Sequence, residues 1–369
     1  MPEGILQQGL SRAGEPAAGP AGDAAGARVA PRSERIRDVA EHAGVSPATV
    51  SRVLNGVGTV REDYRRRVVD AIAELGYRPN RLARNLRRQN AEMIGVVVSD
   101  IENPHFTQMV RAVEDGAFRN GYRMLLCNTD EAGDKQRAYL EMLAGERVLG
   151  VILSPSNPAG DEIGWMLDLA IPIVAFDRAV ADPRADSVVS DGEGAARTAT
   201  EHLMAAGHRR VAFIGGPAGI ETADTRRAGY EAAMRAEGQR PREGDGGFRI
   251  DGGRHATEEL LEHGGEVSAL VVANNLMAIG ALEALAQHGR RVPDDMALVA
   301  IDDPFWAELV EPPLTVLAQP VRDMADTAMR LLLGRIAGRP RKPRHEVFPL
   351  ELRVRGSCGS ARVSEGAER

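Results

Sequence analysis

The chain has 369 residues, 43% of them hydrophobic, with a formal charge of −7 at pH 7. That length supports two or three domains with their own cores, and no apolar run is long enough to span a bilayer. Two cysteines exclude a disulfide framework, and no Cys/His cluster has metal-ligand spacing, so neither a metal nor a cofactor is expected. The N-terminus lacks a basic segment followed by an apolar stretch, so a cytoplasmic protein is expected.

The charge is unevenly spread. Between Arg32 and Asn90 there are 13 arginines against 7 acids, about +6, which leaves about −13 on the rest. A small basic module on an acidic body is the footprint of a nucleic-acid binder with a regulatory domain.

Residues 1–33 are rich in Ala, Gly, Pro and Arg and poor in large apolar side chains, so a disordered extension is expected. Residues 34–77 read as three short helices. Ile36, Val39, Ala40 and Ala43 share one helical face, and Gly44 suits the left-handed turn that ends it. Ser46 is a good N-cap with Pro47 at the first helical position. Val50, Val53 and Leu54 point the second helix inward. Ala48, Thr49, Ser51, Arg52 and Asn55 are left outside, a slim polar face that can enter a DNA major groove. Tyr64, Val68, Ile72 and Leu75 supply a third amphipathic helix. Residues 78–90 follow as an arginine-rich linker holding Leu82 and Leu86. An apolar residue among Arg84, Arg87 and Arg88 is how minor-groove benders are built; the alternative is a linker helix packed on the next domain.

The stretches RDVAEHAGVSPATVSRVLNG and ELGYRPNRLARNLR resemble the DNA-binding headpiece and hinge helix of the lactose-repressor (LacI/GalR) family of bacterial regulators. The resemblance implies a helix-turn-helix contacting operator DNA through Arg37, Ser46, Pro47, Ala48, Thr49, Ser51, Arg52 and Asn55. It also implies a hinge acting through Arg84, Leu86 and Arg87, with Leu86 the minor-groove wedge of a dimer. Arg35 and Arg61 stand where the family usually has a capping Ser or Thr.

From residue 91 to 356 short apolar runs alternate with helical patterns, the texture of parallel sheets covered on both faces. Strands are predicted at Met93–Val98, Met124–Cys127, Gly150–Leu153, Ile171–Phe176, Val211–Ile214, Phe248–Ile250, Ala269–Val272 and Ala297–Ile301. Helices are predicted at Phe106–Arg119, Asp134–Leu143, Glu162–Leu169, Thr222–Glu237, Arg254–Leu261, Asn274–His288 and Met324–Ile336. The resemblance continues through VVSDIENPHF, IPIVAFDR, VVANNLMAIGAL and the segment after Val292. It implies a two-lobed α/β body like a periplasmic sugar-binding protein, with chain crossings near Gly192–Ala206 and Leu314–Asp323. Residues 357–369 read as a flexible tail without a leucine heptad, so a dimer is expected rather than a tetramer.

Ligands of open α/β sheets bind beyond the carboxyl ends of the strands. Asp100, Asn103, His105, Phe106, Asp177, Arg178, Asn274, Asn275 and Asp302 stand at those ends. Arg226 matches the family's pocket arginine. His105 stands where a Phe is common, and Asn275 where an Asp is. Acids, arginines and amides beside an aromatic suit vicinal sugar hydroxyls, although each is also a plausible helix cap or interlobe ion pair. The expected protein is a repressor: a homodimer on a palindromic operator, controlled by a small effector such as a sugar. A periplasmic-type receptor and an α/β enzyme are the alternatives. The chain carries no G-x-G-x-x-G after a strand, no phosphate-binding P-loop and no nucleophile elbow, so no catalytic residue is assigned.

Overall fold

A computed structural model describes residues 36–55, 60–77, 93–263, 267–339 and 341–359. It comprises two compact units, divided at Arg87/Arg88.

The first unit is a three-helix domain: α1 (Ile36–Ala43), α2 (Pro47–Asn55) and α3 (Glu62–Glu74). Val39, Ala40, Ala43, Val50, Val68 and Ala71 are buried together, with Val53, Leu54, Ile72 and Leu75 around them. Gly44 has φ +61°, the left-handed value that its lack of a Cβ makes inexpensive. Arg67 donates to the Gly44 carbonyl at 3.2 Å, fastening the turn to α3. The Thr49 amide donates to Ser46 Oγ at 3.2 Å, so Ser46 caps α2. Arg61 makes no side-chain cap on α3; its guanidinium pairs with Asp63 and lies 4.3 Å from the Tyr64 ring centre.

The second unit contains two six-stranded sheets. The first lobe has the order β11-β5-β4-β3-β1-β2, formed by β1 (Met93–Val98), β2 (Arg123–Asn128), β3 (Val151–Leu153), β4 (Ile173–Asp177), β5 (Asp186–Ser190) and β11 (His345–Phe348). Every strand pair in it is parallel. Helices α4 (Pro104–Arg119) and α11 (Val321–Ile336) cover one face, over Ile94, Val96 and Val98. Helices α5 (Gly133–Gly145) and α6 (Asp161–Asp168) cover the other, over Val97, Val151 and Leu153. Alternate residues of β1 thus feed two cores, which is why the strand reads as one continuous apolar run.

The second lobe repeats the plan in the order β12-β10-β9-β8-β6-β7, from β6 (Val211–Gly215), β7 (Glu243–Asp245), β8 (Ala269–Val272), β9 (Ala297–Ile301), β10 (Thr315–Ala318) and β12 (Glu351–Arg353). Only β12, on β10, is antiparallel among these described strands. Helices α7 (Gly192–Ala205), α8 (Glu221–Ala236), α9 (Ile250–His263) and α10 (Asn275–Gln287) clothe this sheet.

Four details correct the sequence reading. Phe248–Ile250 is not a strand: Gly247 and Phe248 both have φ +58°, and α9 begins at Ile250. The strand is Glu243–Asp245, a polar edge with no apolar signal. Gly192–Ala206 is not a crossing but helix α7 and its cap on the second lobe; the chain passes over between Ser190 and Gly192. The second crossing is confined to Gln319–Pro320, and a third joins β11 to β12 through Pro349 and Leu350. Ser357 and Cys358, assigned to the tail, are buried in the second lobe, where Ser357 Oγ donates to the Leu298 carbonyl at 2.6 Å.

Candidate functional sites

On the three-helix unit, Arg37, Ser46, Pro47, Ala48 and Arg52 are exposed, and Thr49 and Ser51 are half-buried. Asn55 ends α2. The apolar faces of α1, α2 and α3 take one side, so Ala48 and Arg52 stand one turn apart on the outer side of α2. The hinge residues Arg84, Leu86 and Arg87 lie outside the described residues.

In the two-lobed unit a cleft of about 450 Å³, counting space open to solvent, runs between the carboxyl ends of the two sheets. Its walls include Asp100, Asn103, His105, Phe106, Asp177, Arg178, Arg226, Asn274 and Asp302, every effector candidate named from the sequence except Asn275. Asn275 lies just behind, bonded to Asp302.

Asp177 and Asp302 occupy matching places, at the end of the fourth strand of the first sheet and just past the fourth of the second, with φ +69° and +78°. Such left-handed aspartates turn the chain sharply and present the carboxylate beyond the sheet. Arg178 is buried and grips Glu131 with both terminal nitrogens, at 2.6 and 2.7 Å, while its Nε lies 3.6 Å from Asp177. Arg226 is buried and donates to the Ala273 carbonyl at 2.6 Å. Asn103 and Asn274 cap α4 and α10 through Oδ1, accepting from the amides of His105 and Met277. His105 Nε2 lies 3.6 Å from Asp177 Oδ1, and the ring meets Phe106 edge-on at 5.1 Å.

The lobes are joined at the cleft by Arg249 to Asp100 at 3.1 Å, Asn275 to Asn103 at 2.8 Å, and the Ala179 amide to Glu221 at 2.7 Å. Burial pushes the Asp100 carboxyl above its ordinary value, against the Glu102 amide and Arg249. Burial acts the same way on Asp302, but the charges of His105 and Arg226 and the amides of Gln319 and Asn275 outweigh it and hold that carboxyl low.

Glu131, Thr222, Phe248, Arg249 and Gln319 also line the cleft and escaped the sequence reading. Glu131 and Phe248 sit in left-handed turns. Gln319 lies on a crossing, where strand-end logic gives no signal, although the crossing itself was expected.

Among the described residues no helix is long and apolar enough to cross a membrane, and no group of His, Cys, Asp and Glu could hold a metal ion.

Residues 35–80 match the lacI family of bacterial regulatory proteins, and residues 200–358 match a periplasmic binding protein-like domain. The ribose operon repressor of Halalkalibacterium halodurans is 38% identical over 332 residues, 90% of this chain and 99% of the relative. The HTH-type transcriptional repressor PurR of Haemophilus influenzae is 34% identical over 335 residues, 88% of this chain and 98% of the relative. Among solved structures, the lac repressor dimer bound to operator and the anti-inducer ONPF is 30% identical, with a TM-score of 0.78 over 89% of this chain and 99% of that one. The regulator CelR in complex with cellobiose is 35% identical, with a TM-score of 0.66 over 88% and 99%. Identity at this level across nine-tenths of the chain, with a helix-turn-helix unit and a two-lobed α/β unit in that order, makes the protein a member of the lacI family of bacterial regulatory proteins, a DNA-binding transcriptional regulator rather than an enzyme.

Proposed function

We propose that the protein is a repressor that binds a palindromic operator as a homodimer and is controlled by a sugar or related polyhydroxylated metabolite held between its lobes. The observation that carries the effector is the cleft itself. Both lobes supply buried carboxylates, guanidiniums and amides next to Phe106, and such a set matches the alternating donors and acceptors of vicinal hydroxyls. Relatives named for ribose operons and for a cellobiose complex support a sugar.

An effector shifts operator affinity only by its differential affinity for two arrangements of the protein. Asp177 belongs to the first lobe; Arg226, Asn274 and Asp302 belong to the second. A sugar held by all four favours one lobe arrangement. We further propose that the segment around Leu86 transmits this to the minor groove, with Arg84 and Arg87 on the phosphates.

The test is selection of DNA from a random pool by the full chain, followed by titration of the selected site with and without a panel of monosaccharides. Inverted-repeat sites and a sugar that changes affinity are expected. Sites without symmetry, or a protein indifferent to every sugar, overturn the reading. Arg52→Ala tests the groove face: affinity should fall by about 1–3 kcal/mol with base preference relaxed at one position per half-site. A mutant with full discrimination would restrict Arg52 to phosphate contact.

A further inference from the structure

Asp302, His105 and Gln319 line two cavities at once: the effector cleft, and a smaller chamber adjoining it that Gln108, Asn275, Asp303, Pro304 and Val321 also line. The chamber has room for about one or two waters.

The polar groups around the chamber are incompletely paired. Asn275 Nδ2 donates to Asn103 Oδ1 at 2.8 Å and to Asp302 Oδ2 at 3.0 Å. Gln319 Nε2 donates to Asp302 Oδ1 at 2.6 Å. With oxygen acceptors facing these nitrogens, the orientation of both amides is fixed, and each carbonyl oxygen must turn the other way. Both oxygens, Asn275 Oδ1 and Gln319 Oε1, are buried without a hydrogen-bond partner, and so are both ring nitrogens of His105. Asn275 and His105 are 1% and 6% exposed. Buried polar atoms are almost always paired, so a group of unpaired ones calls for a partner that completes them.

The set also defines the partner. Two amide oxygens beside the Asp302 carboxylate accept hydrogen bonds, and the imidazole ring N–H donates one. An anion would face a carboxylate and two amide oxygens. A hydroxyl fits, because it donates to an amide oxygen while accepting from the ring N–H.

We propose that this chamber is a subsite for a single effector hydroxyl, with His105, Asn275 and Gln319 as the residues that choose which hydroxyl must be present. The proposal rests on reading the cleft as a sugar site and deepens it. His105 lines both the cleft and the chamber, so it meets the sugar ring in the one and the hydroxyl in the other.

The experiment is a cycle between protein and ligand. D-ribose, D-xylose, L-arabinose, D-glucose and D-galactose are titrated calorimetrically into the full-length protein, and the tightest is compared with its monodeoxy analogues. Wild type should lose tenfold or more at one position. His105→Phe, a ring of similar shape without nitrogens, should weaken the parent sugar and abolish discrimination at that position alone. His105→Gln, which returns a hydrogen-bonding end, should keep it. Thermal unfolding of each variant checks that it is folded; were the Phe variant unfolded, Asn275→Leu takes its place with the same expectation. If wild type binds a sugar but no hydroxyl is coupled to His105, or all are coupled equally, the subsite is overturned and the sugar reading stands. If wild type binds none of the sugars, both fall together.

Discussion

The two lobes share a strand order across their first five strands but are packed by different means. In the first, α4 and α11 meet through side chains such as Met109, Val113, Met329 and Leu332. A Cβ added at Gly116 of α4 would approach only the Met329 side chain, at 3.2 Å. In the second, α7 lies on α8 and α9 on α10 with backbones almost touching. A Cβ on Gly229 would stand 2.0 Å from the Glu193 carbonyl oxygen, and one on Gly280 2.0 Å from that of Ile250. Side chains can yield by a rotamer change; a helix backbone held on both faces cannot. The second lobe is therefore set by backbone contact and the first by interdigitating side chains.

The largest expected effect follows directly. Gly280→Ala should cost about 3 kcal/mol or more, whereas Gly116→Ala should stay within about 1 kcal/mol. Urea unfolding midpoints of the two variants check this; equal losses would mean that the α9–α10 pair can separate and that the contrast is superficial.

Legibility divides interior strands from edge strands in both lobes alike. Interior strands such as Val96–Val98 and Leu270–Val272 are apolar throughout because both faces are covered, so the sequence revealed them. Edges were harder. β7 reads Glu-Gly-Asp, and β11 and β12 each have two residues exposed, of four and three respectively, so neither periodicity nor hydrophobicity marks them. The cleft followed the same division. Residues at strand ends were found by topology, while Arg249 reaches Asp100 across 149 positions of sequence, a pairing no local pattern encodes.

The next contrast concerns how each sheet is tied to the chain's final pass. The first lobe uses a buried charge: Asp186 at the start of β5 binds Arg335 at 2.8 Å and Arg341 at 3.4 Å and accepts from the Arg344 amide at 2.8 Å. The second uses a buried hydroxyl: Ser357 accepts from the Thr315 amide at 2.8 Å. Asp186→Asn should therefore cost about 2–4 kcal/mol, less than for a fully enclosed pair because both arginines are about a fifth exposed. Ser357→Ala should cost about 1–2 kcal/mol. Burial works against the Asp186 carboxylate, but Arg335 and the Arg344 amide hold it below its ordinary value. A carboxyl lowered on folding stabilises above its unfolded value and loses that contribution as pH falls through the folded one. The Asp186→Asn deficit should hold steady from neutral pH to about 5 and shrink below about 4; a deficit unchanged at pH 3 would assign it to packing rather than charge.

The smallest effect separates two carboxyls that line the cleft from different lobes. Asp100, from the first lobe, is raised from its ordinary 3.8, chiefly by burial, because its one arginine partner is half exposed and contributes little. Asp302, from the second, is lowered despite its burial, because charges and amides surround it. A raised carboxyl takes up its proton earlier in the folded state, so wild type gains stability from Asp100 as pH falls from neutral toward 4. A lowered one takes it up later, so wild type loses the Asp302 contribution below about 4. Asp100→Asn should be within about 1 kcal/mol of wild type at pH 7 and fall behind as the solution is acidified to pH 4.5. Asp302→Asn should be less stable by about 1–2 kcal/mol at pH 7 and recover part of that by pH 3, since it forfeits a charged acceptor for Asn275 and Gln319. Denaturant curves of the three proteins at pH 7, 4.5 and 3 give the comparison. If both variants drift from wild type in the same direction, the two lobes present equivalent carboxyls to the cleft, and the asymmetry assigned to Asp302 and its amide partners is wrong.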